Sequence, residues 1–198
     1  MKFDIEQLNE VIAKRRSIFP KDYSDEKVPE HIIKQMLTNA NWAPTYGTTE
    51  PWRFVVFTGD GLQKLATFQS ELYKKVSTEK GSFAENTFNK LANNPLKASH
   101  IIAIGMKRDP RLKIKEIEEV EAVACAVQNM YLTATAYGVG CYWGSGGITY
   151  LEEAKPFFGL GEEDLLLGFF YVGMPAIDWP EGKRASVEEK VTWVSENN

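Results

Sequence analysis

The chain has 198 residues, 43% of them hydrophobic, which suits one soluble domain with a sizeable core and excludes a fibre or a disordered polymer. Lys and Arg number 23 against 27 Asp and Glu, a formal net charge of -4, so no overall basic field is present to hold nucleic acid or an acidic membrane surface. Two cysteines, Cys125 and Cys141, are too few for a disulfide framework or a zinc cage.

The first ten residues, M-K-F-D-I-E-Q-L-N-E, carry acids where a signal peptide needs apolar side chains, and no run approaches the roughly 18 apolar residues of a membrane span. A reducing, cytoplasmic setting is the expectation. Behind Asp4, a suitable N-cap, Ile5, Leu8, Val11 and Ile12 recur at helical spacing and predict an amphipathic helix ending near Arg15. Lys14, Arg15 and Arg16 then stand side by side, followed at once by the hydroxyl of Ser17. Ser24 or Asp25, then Pro29, with Val28, Ile32, Ile33, Met36, Leu37 and Ala40, predict a second helix that stops before Ala43 and Pro44.

After the loop T-Y-G-T-T-E-P, residues 53–58 read as a strand closed by Gly59, Asp60 and Gly61, and Leu62, Leu65, Ala66, Gln69, Leu72, Tyr73 and Val76 mark a third helix. Residues 78–97 are polar and irregular, so 60–98 is expected to form a variable helical or lid region. A second strand spans 101–106. The longest helix, 116–137, is apolar on nearly every face, which predicts burial on more than one side and a second copy of the chain to complete it. Cys125 within it is expected to be a buried thiol. Gly138 is placed to cap that helix, and Cys141, Tyr142 and Trp143 lead into the glycine-rich loop 144–147. Thr149 and Glu152 fit a capping box for a short helix ending at Gly159, and 165–172 is a third strand. No repeat or linker divides residues 1–198, which read as a single α+β domain with one sheet against helices.

Three adjacent cations repel one another unless an anion sits among them. Lys14, Arg15 and Arg16 either cap a helix C-terminus, worth about 0.3–1 kcal/mol, or offer with Ser17 the planar donation that a phosphate monoester requires. Gly138, Gly140 and Gly144 follow a helix in the spacing G-x-G-x-x-x-G, without the strand-turn-helix context of a dinucleotide fold, so they point at most to a backbone-lined ligand loop. His31 and His100 lie in different elements and give little material for a metal site or a Ser-His-Asp arrangement. Glu116, Glu118, Glu119 and Glu121 read as complements to a helix dipole. Trp42 and Tyr46 are either core residues or platforms for a planar ring.

Three segments change that balance: A-K-R-R-S-I at 13–18, A-P-T-Y-G-T-T-E-P-W-R-F at 43–54 and G-V-G-C-Y-W-G-S-G at 138–146. Together they resemble the nitroreductase family of flavin mononucleotide (FMN) enzymes, nearest its small members, and the likeness extends to G-K-R-A-S-V-E-E-K-V at 182–191. The resemblance implies a central antiparallel-type sheet packed by helices in an interlocked homodimer, with FMN at the subunit interface. It also implies two-electron reduction by NADH or NADPH of flat acceptors such as nitroaromatics or quinones, in a ping-pong cycle. By motif, Arg15, Arg16 and Ser17 would hold the FMN phosphate and ribityl oxygens or the pyrimidine edge, and Arg184 would add a phosphate contact. Trp143, Gly144 and Ser145 would lie along the isoalloxazine, while Trp42 and Tyr46 would reach it from the partner subunit. Thr48, which would offer the flavin a hydroxyl, stands where many members have Asn, and Glu50, which would add a negative charge beside the site, stands where they have Gln. The cofactor would carry the hydride chemistry, so no catalytic side chain is required. The alternative is a flavin-binding protein of the same fold that stores, senses or degrades the cofactor.

Overall fold

In the computed structural model, which describes residues 2–195, the Asp4 carboxylate accepts the N–H groups of Glu6 and Gln7 at 3.0 and 3.1 Å and so starts α1 (Ile5–Lys14). Helix α2 (Glu30–Ala40) begins later than the apolar pattern suggested. Pro29 is its N-cap, and Val28 precedes it with its N–H donated to Ser99 Oγ at 2.8 Å. After β1 (Trp52–Thr58), the stretch 60–98 is helical: α3 spans Asp60–Glu79 and α4 spans Glu85–Asn93, the latter inside the part that looked irregular. Strand β2 (His100–Met106) and helix α5 (Glu116–Ala136) follow. Gly138, at φ 69°, ends α5, and the Val139 N–H donates to the Ala134 carbonyl at 2.9 Å in a Schellman turn.

A fourth strand stands where the pattern had placed only a lead-in to a loop. β3 (Gly140–Gly144) pairs antiparallel with β4 (Leu165–Gly173), Cys141 opposite Val172 and Gly144 opposite Phe169. The sheet order is β1-β2-β4-β3, every neighbour antiparallel. Ile102, Ile104, Phe170 and Val172 pack with α2 and α5, and Ile101, Ala103, Leu166 and Phe169 pack with α3 and the 3₁₀ turn Glu152–Phe158. Between Leu166 and Phe169 one extra residue enters β4, because Gly105 pairs with Leu166 but Ala103 with Phe169. Gly168, at φ 112°, absorbs that bulge. The expected capping box does not form. The Thr149 hydroxyl donates to the Gly146 carbonyl at 3.0 Å, and Pro156 removes an amide donor that an α-helix would need there. The stop at Gly159, φ 71°, is present.

One side of helix α5 is covered by its own chain. Val123, Val127, Met130 and Ala134 are buried in the core shared with α2 and the sheet, while Ile117 and Cys125 are exposed, Cys125 against expectation. A further uncovered apolar stripe belongs to α1, none of whose residues is buried: Ile5, Leu8 and Ile12 are 61%, 48% and 50% exposed. Of the acidic run, Glu119 departs from the dipole reading. It is buried, pairs with Arg108 and accepts the Asp109 N–H at 2.7 Å. Among the described residues no helix is long and apolar enough to cross a membrane, and no group of His, Cys, Asp or Glu is placed to hold a metal.

Candidate active site

Pairing of β3 with β4 lays Tyr142 beside Tyr171 and Gly144 beside Phe169 on the α3 side of the sheet. The Tyr142 and Tyr171 rings are 6.2 Å apart, and Phe19 adds a third ring 4.6 Å from Tyr142. Burial, with the nearby Tyr142 phenol as a smaller cause, pushes the Tyr171 phenol above its ordinary range, so it stays protonated at neutral pH. Beyond the rings the wall is bare main chain at Gly144, Gly146 and Gly147. A Cβ on Gly144 would stand 2.8 Å from Tyr142 Cε1, and one on Gly147, at φ 69°, would stand 2.6 Å from Leu91 Cδ2.

Helices α3 and α4 close this strip into a cavity of about 540 Å³ whose polar lining comes from Lys21, Gln69, Thr87, Lys90 and Asn94. Its walls hold no carboxylate and no imidazole among the described residues. Gln69 is 1% exposed, and neither atom of its amide has a hydrogen-bond partner. Phe19 and Lys21 also border a second hollow of about 470 Å³, which opens beside Ser17, Ile177 and Pro180.

Residues 15–18 run along the outer edge of β3. Ser17 bridges Cys141 in parallel fashion, and the Ile18 N–H donates to the Cys141 carbonyl at 2.9 Å. The Arg15 guanidinium lies 5.1 Å from the centroid of the Tyr131 ring. Tyr131 Oη accepts the Trp143 N–H at 2.7 Å. Burial raises the Tyr131 pKa, and hydrogen bonds with Ser17 and the Trp143 N–H oppose the rise. Arg16 folds back on the end of α1, where Nη1 donates to the Ala13 and Arg15 carbonyls, both at 2.7 Å, while its buried Nε has no partner. The capping geometry weighed for this cluster is therefore present at Arg16. The Trp143 indole donates to the Leu167 carbonyl at 2.9 Å and packs toward the α5 core, so Tyr142 and Gly144 rather than Trp143 line the cavity.

The C-terminal segment crosses this edge. Trp179 Nε1 donates to the Lys14 carbonyl at 2.6 Å, and Gly182 lies so close to Arg16 that an added Cβ would be 2.0 Å from Nη2. Arg184 follows, exposed, with Nη1 donating to the Lys183 carbonyl at 2.8 Å. One chain thus collects Arg15, Arg16, Ser17, Trp143, Gly144 and Ser145 at one sheet edge, with the segment of Arg184 passing over Arg16.

Trp42, Tyr46 and Thr48 line neither cavity. Trp42 is 82% exposed beside Asn39 and Leu132, and Tyr46 is 70% exposed. Thr48 and Glu50 hold φ values of 53° and 45°, a left-handed conformation that costs a β-branched residue strain and that Asn enters more readily. The Thr48 hydroxyl donates to the Gly47 carbonyl at 2.8 Å.

Sequence reasoning missed Phe19, Lys21, Gln69, Lys90, Asn94 and Tyr142 as lining residues. Only Gln69 carried a readable signal, as a polar residue on the apolar stripe of α3. The others come together through contacts between distant segments.

A four-stranded antiparallel sheet between helical layers, with a ring-and-glycine cavity beside a paired-arginine edge, defines the class. The family model described as Nitroreductase family matches residues 12–174, and the chain belongs to that family. A Bacillus subtilis protein provisionally named NAD(P)H nitroreductase YfhC is 27% identical over 190 residues, 93% of each chain. The crystal structure of a nitroreductase-like family protein from Bacillus cereus superposes with a TM-score of 0.80 at 28% identity, covering 98% of both chains. The FMN-dependent nitroreductase NfnB from Mycobacterium smegmatis, solved with NADPH, shares the fold with a TM-score of 0.73 at 16% identity, over 96% of this chain and 99% of that one.

Proposed function

We propose that the protein is an FMN-dependent oxidoreductase that takes two electrons from NADH or NADPH and passes them to flat acceptors such as nitroaromatics or quinones. The observation that carries this reading is a cavity of rings and glycine main chain, with a second hollow at Ser17 sharing its Phe19 and Lys21 wall, in a member of this family. The residues fit the cofactor. Tyr142, Phe169 and the Gly144–Gly147 backbone suit a flat ring, and the Arg15 guanidinium and Ser17, on the outer edge of β3, suit a phosphate, with the segment that leads to Arg184 crossing Arg16 at Gly182. Bound FMN would supply the hydride acceptor and donor. The chain's own part is to bind, orient and exclude water. Lys21 and Lys90, with no carboxylate lining the cavity, favour a ligand that gains negative charge.

Purified protein is expected to be yellow, to bleach with NAD(P)H under anaerobic conditions and to recover colour on addition of a quinone. Colourless protein, or colour that NAD(P)H leaves unchanged, would overturn the proposal. Because both substrates would use one cavity in turn, double-reciprocal plots should be parallel, and intersecting lines would count against a shared site. Arg15→Ala and Arg184→Ala should each weaken FMN binding about 10- to 100-fold through loss of a charge-assisted bond of ~1.5–3 kcal/mol. Riboflavin, which lacks the phosphate, should lose a similar factor in the wild type. Riboflavin binding as tight as FMN would remove the phosphate from this cluster.

The working unit is a homodimer, a reading supported by the uncovered apolar stripe of α1 and by the exposure of Trp42 and Tyr46, which in the dimer would reach the neighbour's flavin. Leu8→Glu places a charge on the stripe and should give a monomer in sedimentation, with weaker FMN binding because a ligand held by the assembled state stabilises that state. A variant that sediments as the wild type would withdraw α1 from the interface. We place the protein in the cytoplasm, where its two free thiols, Cys125 and Cys141, would stay reduced.

A further inference from the structure

Gln69 occupies a position that an apolar residue would fill at lower cost. On α3 it continues the buried stripe of Leu62, Leu65 and Ala66, yet it is 1% exposed and both ends of its carboxamide lack a hydrogen-bond partner. A buried amide with neither donor nor acceptor satisfied destabilises the fold. It lines the 540 Å³ cavity together with the rings of Tyr142, Phe169 and Tyr171. An unsatisfied donor and acceptor side by side fit a ligand edge that carries an acceptor and a donor side by side.

Resting on the proposed function, we infer that Gln69 is a specificity residue for the cofactor, its carboxamide reading the carbonyl–NH edge of the flavin pyrimidine ring. The side-chain Oε1 accepts from the ring N3–H, and Nε2 donates to an adjacent ring carbonyl. The choice of edge follows from chemistry. The dimethylbenzene end of the isoalloxazine has no polar atom to offer, whereas the lactam edge complements an amide in both senses.

The test uses Gln69→Met, close in length and without hydrogen bonds, with Gln69→Leu as a second variant should the first not fold. Equilibrium titrations with FMN and with 3-methyl-FMN, whose N3 carries no proton, are compared, and the thermal midpoint of the flavin-free full chain is measured. In the wild type FMN should bind about tenfold more tightly than 3-methyl-FMN, the variant should bind FMN about tenfold more weakly, and its preference between the two flavins should vanish. Its flavin-free midpoint should stay level or rise, because an unsatisfied amide has been removed. A lowered flavin-free midpoint would show that Gln69 serves the fold instead, and an unchanged preference for FMN over 3-methyl-FMN would overturn the assignment. Wild-type protein that binds neither flavin would overturn the proposed function itself, an outcome distinct from a wild type that binds FMN and a variant that binds it equally well.

Discussion

Replacing Gly168 with alanine is expected to cost about 2–5 kcal/mol of folding stability and to weaken FMN binding with it. Two effects add. At φ 112° the backbone adopts a conformation that L side chains rarely enter, so any Cβ strains the bulge. That Cβ would also stand 2.4 Å from the Gly144 carbonyl oxygen and 3.1 Å from both Gly144 C and Ser145 Cα. These are main-chain atoms and cannot swing aside as a side-chain tip could. Relief requires β3 to move away from β4 at Gly144, which is where the cavity wall becomes bare backbone. Gly146→Ala is the control, since nothing lies within 4 Å of a Cβ there and its φ is not in the positive range. Urea unfolding of both variants, with flavin titration of Gly168→Ala against the wild type, decides the matter. A Gly168→Ala protein as stable as Gly146→Ala would show that the bulge does not need glycine.

Glu119→Ala should be comparably damaging, by about 3–5 kcal/mol, for an electrostatic reason. Its carboxylate is 1% exposed, pairs with an Arg108 side chain only 13% exposed, and takes the Asp109 N–H at 2.7 Å. Removing it leaves a largely buried guanidinium with no counter-charge and only the Ile114 carbonyl, 3.2 Å from Nη2, as acceptor, leaves a main-chain donor without its partner, and frees the segment that joins β2 to α5. The exposed pairs Glu10–Lys14 and Glu30–Lys34 have side chains 59–74% exposed and should contribute only about 0.3–0.5 kcal/mol each. Breaking Glu30–Lys34 with Lys34→Ala is therefore a fair comparison in the same denaturant series. An Arg108→Met, Glu119→Leu double variant should recover part of the single-variant loss, because no charge is left buried alone. If Glu119→Ala unfolds no more easily than Lys34→Ala, the buried pair is not what holds that junction.

Both residues show where local pattern stops being informative. Glu119 sits among three other glutamates at the start of a helix, and each of the four looks like a dipole partner when only neighbours along the chain are considered. Burial singles it out, and burial depends on Arg108 arriving from the far side of a turn. Gly168 lies inside an apolar run that reads as an unbroken strand, since a bulge is defined by the register of its partner and β2 is more than sixty positions earlier.

The sequence by itself determined the helices whose caps and apolar spacing are local, α1 with Asp4 and α5 with Gly138 among them. It determined β1, β2 and β4 through their β-rich apolar runs. It also carried the family, through the motifs at 13–18, 43–54 and 138–146. Tertiary structure alone decided that Gly140–Gly144 is an edge strand, because five residues hold no resolvable period and gain their shape from pairing with β4. It alone decided which side of α5 its own chain covers and that α1 is left uncovered, because apolar content shows that a face must be buried without showing by what. The cavity was decided last of all, since Lys21, Gln69, Lys90, Tyr142 and Tyr171 are brought to one place only by the fold, and no spacing along the chain records a contact between segments so far apart.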